Sequence, residues 1–184
     1  MPERLAGLPR PRTLIHPGPC SAVRLDHRQA PAARHMRLAL APGLTLFDAL
    51  VGALSSASVE SASLTLLEGD LEDLDFCVAP PDRSGHVVAT YGPPATLQSA
   101  RLLFGNATLG CAETGHPAVH CHAVFSSAQG HLLGGHVLTQ RCRIVNAPVS
   151  ALATSLDGFG LRIAYDPETR MSLMRPAAAQ VCHG

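Results

Sequence analysis

In Pro117-Ala-Val-His120-Cys-His122-Ala-Val-Phe125-Ser-Ser127-Ala-Gln-Gly130-His-Leu-Leu-Gly134-Gly-His136-Val137, two alternating runs flank a glycine turn. Side chains on a strand alternate between faces, so His120 and His122 project to one side while Cys121, Ala123 and Phe125 project to the other. If Ala128-Gln129-Gly130 is a three-residue hairpin loop, with Gly130 in the left-handed conformation, Ser127 pairs with His131. The same register then sets His122 opposite His136, and Cys121, Ala123 and Phe125 against Val137, Gly135 and Leu133. One face is apolar and the other carries imidazoles. Opposed residues have Cβ atoms about 4.5–5.5 Å apart and diagonal ones about 7–8 Å. His120, His122 and His136 can therefore converge on one ion at nitrogen distances of about 2.0–2.1 Å. Gly134 and Gly135 remove bulk beside them or permit a bulge that aims His136.

Five of the ten histidines lie between residues 116 and 136. The competing reading is a half-exposed sheet with hydrogen-bonded surface histidines, but three neutral ligands on one face of one hairpin favour a metal. Zinc is the expected ion; imidazole also suits other divalent transition metals. Three protein ligands leave a position for water, substrate, a partner subunit, or Glu113 or His116 as an additional ligand. Glu113 could alternatively orient an imidazole from outside the coordination sphere.

Outward from the hairpin, Thr45 is placed to cap a helix with Asp48 in its first turn, and Leu46, Phe47, Leu50, Val51 and Leu54 recur at helical spacing through about Ala57. Strand candidates are Ser63 to Leu66, His86 to Tyr91, Gln98 to Leu103, Ala107 to Cys111, Leu132 to Leu138, Cys142 to Val145 and Leu161 to Tyr165. The acidic run Glu68 to Asp75 lacks the spacing of a calcium loop and reads as a solvated loop. Successive strands behind one amphipathic helix predict an α+β fold with a mainly antiparallel sheet.

This pattern resembles the plants-and-prokaryotes-conserved (PPC) domain family. The likeness is carried by Pro117 to His122 with Gly130 to His136, by Leu40-Ala-Pro-Gly43 with the helix that follows, and by Leu102 to Gly110. The likeness covers a PPC-like domain over about residues 23–165, which leaves a basic, proline-rich arm over 1–22 and a C-terminal tail over 166–184. It further implies a homotrimer and, as in some prokaryotic members, a metal on the hairpin histidines. In plants the domain follows AT-hooks in DNA-binding proteins. Here Pro9-Arg10-Pro11-Arg12 lacks the Arg-Gly-Arg-Pro core, which argues against DNA contact by that route. Cupins also carry His-x-His on a strand, but they place a glutamate where Ser126 and Ser127 stand and their last histidine farther on.

Composition sets the outer bounds. The chain has 184 residues, 46% hydrophobic and 15% charged, enough for one domain with a real core. Its 14 basic residues, all arginine, balance 14 acids, so no general positive field attracts nucleic acid. Charge is nonetheless segregated: residues 1–37 carry seven arginines, including Arg4, Arg10 and Arg12, and residues 38–82 carry eight acids and no base. The segment before Cys20 is too broken by proline for a secretory signal, and no apolar run spans a bilayer, so the expected location is the cytoplasm. The six cysteines form no CxxC pair and read as reduced thiols, mostly buried. Nothing suggests nucleophilic or nucleotide chemistry. The sequence thus predicts a zinc-binding, trimeric, PPC-like protein. The alternatives are a metal-dependent enzyme using the open position, with Glu113 or His116 as candidate base, and a DNA-associated regulator.

Overall fold

The computed structural model describes residues 14–178 and Cys182. Arg4, Arg10, Arg12, most of the basic arm and His183 lie outside the described residues. The elements in order are β1 (His35–Leu40), α1 (Leu46–Ser56), β2 (Ala62–Leu66), β3 (Gly69–Cys77), β4 (Ala95–Cys111), β5 (Pro117–Ser127), β6 (Leu132–Val137), β7 (Arg143–Val145), β8 (Val149–Ser155), β9 (Phe159–Asp166) and β10 (Met171–Ala178). They form a mainly antiparallel sheet in the order β1-β8-β2-β4-β5-β6-β3-β7, with one short helix. Because β3 pairs with β4 as well as with β6, the β4–β5–β6 segment curls back on itself. That closure encloses Leu71, Leu74, Leu102 and Phe125, each at most 1% exposed, with Phe76 and Phe125 meeting edge to face at 4.8 Å.

The helix begins where its capping residue dictates. Thr45 Oγ1 accepts the Asp48 backbone N–H at 3.0 Å and donates to the Asp48 carboxylate at 2.7 Å. Leu46, Ala49, Leu50 and Leu54 are buried, while Phe47 and Val51 are half-buried.

Several sequence expectations need correction. From Gly69 on, the acidic run is the strand β3 and not a loop: Leu71 and Leu74 are buried, while Asp70 and the preceding Glu68 pair with Arg101. Within that strand Asp75 is buried, and its carboxylate bonds Arg141 at 2.6 Å and the Thr96 hydroxyl. Conversely, His86 to Tyr91 forms no strand. The Asp82 carboxylate takes the backbone N–H groups of Ser84, His86 and Val87, holding the segment as a loop. Gln98 to Leu103 and Ala107 to Cys111 join into the one strand β4, interrupted by a register shift between Leu102 and Phe104. Finally, two cysteines are not reduced: Cys111 and Cys182 form a disulfide, leaving Cys20, Cys77, Cys121 and Cys142 free.

Candidate metal centre

The β5–β6 hairpin positions the histidines as its turn chemistry requires. Gly130 has φ of +80°, the Ser127 N–H donates to the His131 carbonyl at 2.9 Å, and the Gly130 N–H donates to the Ser127 carbonyl at 2.9 Å. From that turn the register runs without a shift to place His122 opposite His136. Cys121, Ala123, Phe125 and Val137 are buried on the reverse face. No bulge is needed to aim His136, because the glycines beside it serve close packing instead. A Cβ on Gly135 would lie 2.6 Å from the Cys77 carbonyl oxygen, and one on Gly134 3.0 Å from the Ala123 carbonyl oxygen. Gly135 therefore allows β3 to close against β6.

The three imidazoles form one cluster. Ring centroids lie 4.9 Å apart for His120 and His122, 4.8 Å for His120 and His136, and 5.4 Å for His122 and His136. One ring nitrogen from each falls within 4.8 Å of the others. His120 and His122 are exposed and His136 is half-buried, so the cluster opens to solvent on one side. The buried Nδ1 of His136 has no hydrogen-bond partner among the described residues. Burial, then the fields of His120 and His122, push the His136 imidazole down to about 4. Burial and His122 lower His120 in the same direction. Neutral imidazole is the ligating form, so the lowered proton affinities of His136 and His120 suit a metal. The residues present therefore fit a borderline metal such as zinc.

Glu113 and His116 fall outside this donor group. Glu113 sits in the turn after β4, where its carboxylate accepts the Ser172 hydroxyl at 3.0 Å. Sequence reasoning missed Tyr91, whose ring lies 5.0 Å from that of His136. Its loop is fixed by backbone bonds from Thr90 to Pro80 and from Gly92 to Val78. The available signal was an aromatic residue before Gly92-Pro93-Pro94, a turn sequence that ends the run read as a strand. Cys77, in register with His136, is buried, which raises its thiol and keeps it protonated.

The sequence profile of the Plants and Prokaryotes Conserved (PCC) domain, the PPC domain of the resemblance above, matches residues 27–157. The chain belongs to that family. Solved structures share the fold of this PCC chain. A hypothetical protein from Salmonella cholerae-suis superposes with TM-score 0.63 at 19% identity, covering 84% of this chain and 100% of its own. A metal-containing protein from Archaeoglobus fulgidus gives 0.62 at 16%, covering 83% and 99%. A plant- and prokaryote-conserved protein from Pyrococcus horikoshii gives 0.57 at 15%, covering 78% and 91%. No curated protein matches the chain significantly in sequence.

Proposed function

We propose that this PCC protein binds one divalent transition metal, zinc foremost, through His120, His122 and His136. The observation that carries the reading is the convergence of three imidazoles, one with a buried and unpartnered nitrogen. The metal-containing relative from Archaeoglobus fulgidus supports it through the shared fold. The metal would supply a Lewis-acidic site with a remaining position on the solvent side. The chain's own part is to fix three neutral nitrogens on a rigid hairpin, with Tyr91 packed against His136. Elemental analysis of untagged protein should find about one metal per chain, and none in a His120→Ala/His136→Ala variant. A parent that contains no metal and takes up no added zinc overturns the reading.

We further propose a homotrimer. The support is the outward face of the sheet, where Phe104 and Val124 stand in register, 53% and 43% exposed, and Leu152 is also exposed. Large apolar side chains exposed on one sheet face are what subunit association would cover. Analytical ultracentrifugation should give three chains per particle, with Phe104→Glu shifting the mass toward the single chain. A monomeric parent would sink this part alone.

A further inference from the structure

The β9–β10 hairpin begins at Phe159, beyond the family match that ends at residue 157, and the three-histidine reading leaves it without a role. Its position follows from the end of β4. A Cβ on Gly110 would lie 2.6 Å from the Leu161 carbonyl oxygen, so only glycine lets β9 approach this closely. One residue on, Arg162 pairs with Cys111 in a parallel bridge. Docked there, the hairpin borders an open groove of about 430 Å³ that reaches His120. The sheet contributes His120 and its register neighbour Thr108; Leu161, Met171 and Met174 come from the hairpin, and Tyr91 from the loop that packs on His136. The volume falls within the roughly 300–1,000 Å³ of small-molecule sites.

The lining is mostly apolar, and two of its side chains are unbranched thioethers that adapt to a flexible hydrocarbon. Among the described residues its lining carries no carboxylate, lysine or arginine, and its ionisable groups are His120 and the Tyr91 phenol. The Ser172 hydroxyl at its edge is already committed to Glu113. Three neutral imidazoles leave the charge of a divalent cation uncompensated, which favours an anionic donor at the remaining position. We propose that the groove binds a small aliphatic monocarboxylate, its carboxylate directed to the cation at His120, His122 and His136 and its chain against Leu161, Met171 and Met174. This inference rests on the metal reading above.

The test is calorimetric titration of the full-length chain, loaded with zinc and checked for one zinc per chain by elemental analysis, with acetate, butyrate, hexanoate and octanoate. Each added methylene should strengthen binding about fourfold until the groove is filled. 1-Octanol, which has the chain without the carboxylate, should bind far more weakly than octanoate. Met171→Gln and Met174→Gln should each reduce octanoate affinity roughly tenfold while leaving zinc content and acetate binding unchanged. Zinc-loaded protein that binds acetate and octanoate equally overturns the groove and leaves the metal reading standing. Octanol binding as tight as octanoate overturns the carboxylate assignment. Protein that takes up no zinc overturns the proposal together with the reading on which it rests.

Discussion

His136 carries the strongest local argument in the molecule. A buried polar atom without a partner costs about 1–3 kcal/mol, and its Nδ1 is such an atom. The same burial separates its proton affinity in the folded and unfolded chain. An ordinary histidine titrates near 6.5, whereas this one is pushed down to about 4. Between those values the unfolded chain binds the proton and the folded chain does not, so metal-free protein should lose stability as pH falls through this window. Lowered His120 adds in the same sense. Urea unfolding at a series of pH values should show this slope in the parent and a flatter one in His136→Gln. Equal slopes would mean that the His136 imidazole is not held neutral. Metal and proton compete for imidazole nitrogen in the folded chain, so protons should begin to displace zinc from His136 only as pH falls toward about 4.

At the scale of elements, the site depends on how closely β3 approaches β6. Gly135→Ala places a Cβ against the Cys77 carbonyl oxygen and should cost about 1–3 kcal/mol through overpacking, with weaker zinc binding as β6 shifts. Gly130→Ala meets nothing within 4 Å, so its cost of about 1 kcal/mol should come from the left-handed backbone alone and spare zinc affinity. Chemical unfolding with zinc titration separates the two; equal zinc affinities would remove the link between β3 packing and the site. The hairpin was legible because period-two alternation and a glycine turn fix a register locally, and the helix because Thr45 and Asp48 announce its start. β3 was not, since its exposed acids give a loop-like composition while Leu71 and Leu74 are buried by partners distant in sequence. β8 escaped for the opposite reason. Val149, Ala151 and Ala153 face the core, but outward Leu152 and the weak strand preference of alanine blur the alternation. Tyr91 reaches His136 through loop geometry that carries no periodic signal.

Across the whole molecule, the end of the chain is tied back to the sheet by Cys111–Cys182, two cysteines separated by 71 residues. No local pattern reveals such a pair, because the meeting of the tail with the end of β4 is a product of the complete fold. A cross-link over this span restricts the unfolded chain far more than the folded one, which typically stabilises by about 2–4 kcal/mol. The remaining thiols make the consequence easy to read. Cys77, Cys121 and Cys142 are buried, with Cys121 and Cys142 pushed up to about 12, so Cys20 is the exposed free thiol. In native, unreduced protein a thiol reagent should label Cys20 alone, and after mild reduction the half-buried Cys182 should follow while the buried Cys111 stays protected. Cys182→Ser should lower the unfolding free energy by roughly 2–4 kcal/mol under oxidising conditions and leave reduced protein unchanged. Dithiothreitol should bring the parent down to the variant's value. If reductant leaves the parent's unfolding midpoint where it was, the tail is not tied to β4 in solution and the β9–β10 hairpin must be held by its strand contacts alone.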